Sequence, residues 1–336
     1  MKFWLQWARL RRQTECSLES GLQPETERLK TELPTGQTPP PRQGPARSEP
    51  HSPRSPLELR SSRCQPRLMN RITERFDHLR LQGHKGLVIY IGAGDPDLEA
   101  TRQLAVSFDH VGVDVLELGV PFSDPLADGL VNQLAAQRGL ESGTTPARVL
   151  ETVAEIRKES QIPIVLYLYF NLIHHFGLER FINEASAAGV DGLLVLDLPP
   201  EESTLYDALM RAAGLAAIYL VAPTTPEDRI AAIVGRGSGF VYYVSREGVT
   251  GMQTEVADTI AGMTARIHAH TDLPIAVGFG ISNADQARAV AQHAEAIVVG
   301  SAVVKRIADL GRSPELVAKV SQFVAELVTA VKSVRR

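Results

Sequence analysis

The chain has 336 residues, with 39 acidic and 35 basic side chains and a formal charge of −4. At roughly 100–200 residues per domain, this length allows one large domain or two smaller ones, and a hydrophobic content of 44% supports a sizeable core. No apolar run approaches the roughly 18–20 residues that cross a bilayer. Two cysteines exclude a disulfide scaffold, no Cys/His cluster has zinc spacing, and a pI of about 6.2 gives no general attraction for nucleic acid. We therefore expect a soluble, cytoplasmic protein that acts on small molecules or on protein partners.

The first 68 residues differ in composition from the rest of the chain. They hold 10 of the 21 prolines and carry a net charge of +5, whereas residues 69–336 carry −9. Stretches such as residues 38–41 show no helical or strand period, so little apolar burial would offset the entropy lost on ordering them. We expect residues 1–68 to be a disordered extension and residues 69–336 to form the folded domain. Two alternatives are open for the extension: a transit peptide, or a mis-called start with Met69 as the true first residue.

From residue 69 onward, eight short apolar runs alternate with helical segments. The runs are continuously apolar, as in parallel strands buried on both faces. Between most of them, apolar residues recur at three- and four-residue spacing, as Val149, Val153 and Ile156 do. The eight predicted strands are residues 87–91, 113–118, 164–170, 193–198, 216–221, 240–244, 275–277 and 296–299.

This alternation predicts an α/β fold of the (β/α)₈ (TIM) barrel class, because eight such units in about 250 residues match its size. A doubly wound sheet is the competing architecture, but residues 92–97 lack the third glycine of its dinucleotide-binding fingerprint. We predict an extra N-terminal helix over residues 72–81 and a C-terminal helix over residues 314–334, which plug or flank the barrel.

A carboxylate lies inside the second predicted strand. Catalytic groups of such barrels lie where strands end. A charged Glu117 side chain buried there without a partner would destabilise the fold by several kcal/mol, or the carboxyl group would keep its proton with a raised pKa. If Val113 and Val115 faced outward, the two-residue period of a strand would turn Glu117 away from the interior too. The following loop adds Asp124 and Asp128, so the segment is a candidate general acid–base site. The alternatives are a salt-bridged structural glutamate and turn-forming aspartates.

Glycines follow the sixth, seventh and eighth predicted strands. Glycines let backbone N–H groups approach an anion closely, and the start of a helix adds a favourable dipole. The loops after strands seven and eight are the usual phosphate site of such barrels. Gly280, Gly300 and Ser301 therefore predict a phosphate cradle.

Residues 116–129, LELGVPFSDPLADG, resemble the signature of the tryptophan synthase α subunit family. Supporting segments occur in family order at residues 94–96, 169–171, 197–199, 245–251 and 278–280. The resemblance extends from residue 69 to 336 and includes nothing in residues 1–68. It implies a (β/α)₈ barrel lyase that cleaves indole-3-glycerol phosphate to indole and glyceraldehyde 3-phosphate in tryptophan biosynthesis.

The resemblance also implies roles for individual residues. Glu117 would be the catalytic acid–base, and Asp128 would accept a hydrogen bond from the indole N–H and stabilise the positive charge that develops there. Thr250 would lie on a mobile loop that closes over the site. The other implied substrate-binding residues are Tyr90, Tyr169, Leu194, Tyr242 and Phe279 at the indole pocket or beside the glutamate, and Gly251, Gly280, Gly300 and Ser301 at the phosphate.

The resemblance further implies a partner, a pyridoxal-phosphate β subunit that receives indole within an αββα complex. We expect it to dock on residues 121–128 and around residues 197–199. None of the eight predicted strands contains a lysine that would form a Schiff base, so we expect no cofactor in this chain. Because no Cys/His cluster has zinc spacing, we also expect no metal.

Five positions depart from the family's pattern. None removes a proposed catalytic group, but we expect effects on rate and on partner contacts, and we expect a polar Asn132 beside an indole ring to weaken substrate binding. The departing residues are Tyr90, where phenylalanine is common, Gly92 for threonine, Leu130 for proline, Asn132 for an apolar residue, and Tyr167 for methionine or leucine.

Two alternatives to the lyase are another phosphate-binding barrel isomerase or aldolase, and a catalytically idle barrel that only activates a partner.

Overall fold

The computed structural model describes residues 70–244, 253–278 and 280–335, with only the helical backbone over 253–258. Eight parallel strands follow one another in chain order and close into a barrel. The predicted (β/α)₈ class and its eight strands are confirmed. The strands are β1 (Gly86–Gly92), β2 (Val115–Gly119), β3 (Ile164–Leu168), β4 (Gly192–Val195), β5 (Ala216–Val221), β6 (Val241–Val244), β7 (Ile275–Gly278) and β8 (Ala296–Val299).

Twelve α-helices lie among the described residues, and most of them form the outer layer. A short 3₁₀ turn, Pro200–Glu202, follows β4. The helices are α1 (Arg71–Gln82), α2 (Leu98–Val111), α3 (Leu130–Glu141), α4 (Pro146–Ile156), α5 (Phe170–Phe176), α6 (Leu178–Ala188), α7 (Thr204–Ala212), α8 (Glu227–Val234), α9 (Gln253–His268), α10 (Ala284–Ala291), α11 (Ser301–Leu310) and α12 (Leu316–Lys332).

The two helices predicted outside the repeating units are present. Ile72, Phe76 and Leu79 of α1 are buried in the interior cluster of the barrel, so α1 plugs one end of it. Helix α12 packs against α2 and α10 in the outer layer. Both helices thus bury an apolar face, which is the main source of stability for a helix in a protein.

Strand β2 begins two residues later than predicted, and this corrects the expected orientation of Glu117. Gly112 ends α2 in the left-handed region at φ 94°, and the Val113 N–H donates to Phe108 O at 3.0 Å. Val113 therefore belongs to the helix cap and packs in the outer core. Val115 is the first residue of the strand, and it faces the interior. Glu117, two residues on, faces the interior as well.

Strands β3 and β4 end earlier than predicted. The Phe170 N–H donates to Asp197 Oδ1 at 2.6 Å and the chain turns into α5, so residues 169–170 leave the sheet. Residues 196–198 likewise follow β4 as a turn and a loop. Apolarity alone did not reveal these ends, because most of the residues beyond them, Asp197 excepted, are also apolar.

The amino-terminal end of the barrel is held by a buried carboxylate, which leads to a stability prediction. Asp191 Oδ2 accepts from the Ile164 N–H and from Arg157 Nη2, both at 2.8 Å, and Oδ1 accepts from Arg71 at 2.9 Å. Removing one partner of a buried ion pair leaves the other charge uncompensated. We expect Asp191→Ala to lower the free energy of unfolding by ~3–5 kcal/mol, measured by urea denaturation.

The control is Glu184→Ala, which breaks an exposed pair with Arg180 on α6. Such pairs contribute less than about 1 kcal/mol. Equal losses for the two variants would contradict the role assigned to Asp191.

Candidate active site

A cavity of about 470 Å³ opens at the carboxyl ends of the strands. Its size falls within the range of ligand pockets, and its place is where barrel enzymes carry their chemistry. Strand residues, the loops after β2, β7 and β8, and the starts of α3 and α11 contribute to its wall. The lining residues are Tyr90, Glu117, Ala127, Asp128, Gly129, Leu130, Val131, Asn132, Tyr167, Tyr242, Val244, Gly278, Gly280, Ile281, Val298, Gly300 and Ser301.

Glu117 projects into this cavity from β2, level with Tyr90 on β1. It is 2% exposed, and neither carboxyl oxygen has a hydrogen-bond partner among the described residues. Burial, and secondarily the nearby charge of Asp128, raises the pKa of Glu117 to about 8. Glu117 is therefore protonated at neutral pH and can donate a proton to a bound molecule.

Asp128 lies on the loop after β2, two residues before α3 begins. Its two carboxylate oxygens accept hydrogen bonds from different tyrosines: Tyr167 Oη donates to Oδ1 at 2.7 Å, and Tyr169 Oη donates to Oδ2 at 2.8 Å. Burial raises the pKa of Asp128, and the hydrogen bonds from Tyr167 and Tyr169, together with the Asn132 side chain, oppose that rise. The site thus pairs an unbonded acid with a carboxylate whose charged form is hydrogen-bonded.

Aromatic rings form one wall of the cavity, and glycines make room for them. Tyr90 and Tyr167 meet edge-on, with ring centroids 5.1 Å apart. A Cβ on Gly119 would lie 2.4 Å from Tyr90 Oη, and a Cβ on Gly278 would lie 3.0 Å from Tyr242 Oη. Because a side chain at Gly119 would collide with the Tyr90 ring, this glycine is needed for the shape of the wall.

Another part of the cavity wall is suited to an anion. Gly280 adopts a positive φ of 64° after β7, and Gly300 precedes Ser301, the first residue of α11. The first turn of a ten-residue helix presents free N–H groups and the positive end of its dipole. Gly280, Gly300 and Ser301 line the same cavity as Glu117, so an acidic and an anion-binding side face one space.

The structure brings together most of the residues singled out from the sequence. Tyr169 donates a hydrogen bond to Asp128, and Leu194 is fully buried in the barrel interior. Neither residue is among those described as lining the cavity. Thr250, Gly251 and Phe279 lie outside the described residues. The residues that line the cavity as predicted are Tyr90, Glu117, Asp128, Tyr242, Gly280, Gly300 and Ser301.

Sequence reasoning missed the polar contacts of Tyr167 and Asn132 with Asp128. Asn132 was expected to act only as a polar neighbour of the ring, yet its side chain also lowers the pKa of Asp128, and its Oδ1 is buried without a partner among the described atoms. Two tyrosines spaced i, i+2 at a strand end, opposite a loop carboxylate, were the available signal, because such side chains share one face. Asp124 is exposed and accepts from Ser123 Oγ at 2.5 Å, so the loop carboxylate at the cavity is Asp128.

Within the described ranges, no group of three or more His, Cys, Asp or Glu side chains is arranged to hold a metal ion. In the same part of the chain, no helix is long and apolar enough to cross a membrane.

A closed (β/α)₈ barrel with a buried acid, a second carboxylate and an anion cradle at one mouth defines an acid–base enzyme for a phosphorylated small molecule. Comparison with known proteins gives the family. The sequence model described as tryptophan synthase alpha chain matches residues 76–332. The chain belongs to this family, whose known reaction is the cleavage of indole-3-glycerol phosphate, a lyase reaction in tryptophan biosynthesis.

Individual relatives agree. The chain is 50% identical to a tryptophan synthase alpha chain of Opitutus terrae over 265 residues, covering 79% of this chain and 100% of the relative. It is 47% identical to that of Geotalea uraniireducens over 266 residues, covering 79% of this chain and 99% of the relative. Among solved structures, subunit alpha from Legionella pneumophila str. Paris superposes with a TM-score of 0.74 at 34% identity, covering 79% of this chain and 100% of that one.

Proposed function

We propose that Glu117 and Asp128 carry out the family's cleavage of indole-3-glycerol phosphate in this chain, with Glu117 as proton donor and acceptor. The observation that carries the proposal is the buried, unpartnered Glu117, whose pKa is raised to about 8. An acid that titrates near the working pH is suited to general acid–base catalysis, which contributes ~10²–10⁴-fold. Because neither oxygen of Glu117 has a partner among the described residues, both are available to the substrate.

The proton transfers balance within one catalytic cycle. Glu117 gives its proton to the indole ring carbon that bears the glycerol chain, which leaves positive charge on the ring nitrogen. The Glu117 carboxylate then takes the proton of the hydroxyl group on the adjacent chain carbon. The carbon–carbon bond breaks, its electron pair returns to the ring, and indole and glyceraldehyde 3-phosphate form. Glu117 ends the cycle protonated.

Asp128 supports this cycle by electrostatics. Its carboxylate accepts a hydrogen bond from the indole N–H, so a fixed negative charge lies where the ring becomes positive. Groups oriented in advance toward developing charge act strongly in a water-poor site. Both phenolic donors on Asp128 lie on or directly after β3, and we infer that they keep this charge in place before the substrate arrives.

The substrate phosphate is held by Gly280, Gly300 and Ser301, mainly through backbone N–H groups. The tyrosines Tyr90 and Tyr242 flank the indole ring, with Tyr169 and Leu194 behind them. From the family resemblance, Thr250, Gly251 and Phe279 complete the site. The chain needs no cofactor for this scheme, since ring protonation by Glu117 supplies the electron sink.

We infer further that a β subunit docks on the loop of residues 121–128 and on the start of α3, as part of an αββα complex that receives the indole. Leu126, Leu130 and Leu134 are exposed by 91%, 70% and 46% and recur every four residues. Exposed apolar side chains grouped in this way are typical of protein interfaces. A solved structure of tryptophan synthase from M. tuberculosis contains a chain that is 30% identical to this one, with a TM-score of 0.71.

The proposed function is tested by incubating the chain with indole-3-glycerol phosphate and measuring both products. We expect indole and glyceraldehyde 3-phosphate in equal amounts, and a faster reaction when a tryptophan synthase β subunit is added. Absence of indole both with and without the β subunit would reject the lyase for this chain. It would favour the idle barrel or a different phosphate-binding barrel enzyme.

A further inference from the structure

The carboxylate of Asp128 is tied to the barrel by two hydroxyl groups from one strand end. Tyr167 lies within β3 and Tyr169 follows it directly, so their side chains project to the same face. Each carboxylate oxygen accepts from its own phenol, at 2.7 and 2.8 Å. These lengths are in the normal range for O–H donors to oxygen.

Tyr167 differs from Tyr169 in what else its hydroxyl contacts. Tyr169 Oη also accepts from the Ala127 N–H at 2.9 Å, so it holds the loop backbone as well as the carboxylate. Among the described hydrogen bonds, that of Tyr167 goes to the carboxylate alone. The remaining bonds of Asp128, from its N–H to Pro125 O and from Gln133 to its carbonyl, stay within the loop and α3.

The position of the Tyr167 hydroxyl is set by the sheet rather than by the loop. Tyr167 pairs with Gly119 on β2 and with Leu194 on β4, and its ring meets Tyr90 edge-on at 5.1 Å. A loop carboxylate bonded to this hydroxyl is therefore held at a fixed place in the cavity.

We propose that Tyr167 is a positioning residue, whose hydroxyl holds Asp128 in its charged form facing the same cavity as Glu117. The proposal rests on the proposed function, and it names a residue at a position where the family commonly has methionine or leucine. A phenol with a raised pKa stays protonated, so it donates to the carboxylate and favours that charged form over the carboxylic acid.

The surroundings of Asp128 make such a donor necessary. Among the described residues, the titratable groups that face it are Glu117 from β2, Tyr90 from β1, Tyr242 from β6, and the two tyrosines of the β3 end. No Lys, Arg or His in the described part of the chain lines the cavity. Without a cation there, hydrogen bonds must offset the cost of burying the charge.

The test compares Tyr167→Phe with the matched control Tyr219→Phe. Tyr219 also donates to a buried carboxylate, Asp207 Oδ1 at 2.5 Å, but its ring packs in the outer core. With indole-3-glycerol phosphate as substrate, we expect Tyr167→Phe to lower kcat by ~10- to 100-fold, the effect of one hydrogen bond to a charged group. We expect little change in KM, and we expect the acid limb of the kcat pH profile to move to higher pH. Tyr219→Phe should leave kcat and the limb unchanged.

A second readout does not need turnover. The carboxyl carbon of Asp128 in ¹³C-aspartate-labelled protein, assigned with Asp128→Asn, should titrate at higher pH in Tyr167→Phe than in wild type and Tyr219→Phe. An unmoved titration, or a fall in kcat with an unmoved acid limb, would overturn the proposal. Should Tyr167→Phe not fold, Tyr167→Met carries the same measurement. Failure of the wild type to form indole would reject the proposed function instead, and the titration would still decide the role of Tyr167.

Discussion

We expect Glu117→Gln to lower kcat for indole release by ~10²–10⁴-fold, with little change in KM for indole-3-glycerol phosphate. Glutamine keeps the size of the side chain but cannot transfer a proton. Because Glu117 is neutral at neutral pH, the substitution removes no charge from the empty site under those conditions. Steady-state assays of the two proteins measure both constants. The charge control is Glu141→Gln, an exposed residue at the end of α3, and equal rates for Glu117→Gln and wild type would reject the proposed proton transfer.

The same carboxyl group predicts a pH dependence of the wild-type reaction. A proton donor with a pKa of about 8 in the empty site is lost as the pH rises through that value, so kcat/KM, which reports the groups of the free enzyme, should fall on the basic side near pH 8. The macroscopic value belongs to the coupled pair of carboxyl groups.

Stability offers a readout of Glu117 that is independent of turnover. Its pKa is higher in the folded state than the value of 4.5 from which it is raised, so the folded state binds more protons between these two pH values. Stability of the wild type is therefore lost as pH rises through this window, by up to about 1.4 kcal/mol per unit from this group. Glu117→Gln should lack that slope in urea denaturation measured across the window. An identical slope in both proteins would show that Glu117 is not buried as described.

The fold could be predicted from the sequence because its main signal is local. Eight continuous apolar runs separated by helical periods predict parallel strands buried on both faces, and the closed barrel confirms this. The ends of elements were less predictable. Val113 is as apolar as a strand residue, but it packs against α2 as part of that helix's cap. Because Val113 belongs to the cap and not to β2, counting from it as a strand residue predicted the wrong face of the strand for Glu117.

The site could be predicted only in part, because its contacts join distant segments. Glu117 and Asp128 lie on one strand–loop segment, and the sequence resemblance was enough to select them as candidates. The contact between Tyr167 and Asp128 joins residues 39 positions apart, and it depends on the register of β2 and β3. No period within either segment encodes that register, so Tyr167 and Asn132 could only be noted as unusual residues.

The second large effect is expected from Asp128→Asn, which removes the fixed charge but keeps the shape of the side chain. We expect kcat to fall by ~10²–10³-fold, comparable to the removal of one oriented group that stabilises developing charge. The matched control is Asp124→Asn on the same loop, which is exposed and bonded to Ser123. Assays of the chain without a β subunit keep docking out of the comparison, and Asp124→Asn should then retain wild-type kcat.

The pH profile of Asp128→Asn tests whether the charge of Asp128 acts on Glu117. The charge of Asp128 is one of the two causes that raise the pKa of Glu117, so its removal should lower that pKa. The basic limb of the residual activity should therefore move to lower pH, and the window in which stability falls with pH should end at a lower pH as well. A fall in kcat with an unmoved basic limb and an unchanged stability window would mean that Asp128 does not act on Glu117 through its charge. The ring cation would then be the only charge for Asp128 to stabilise.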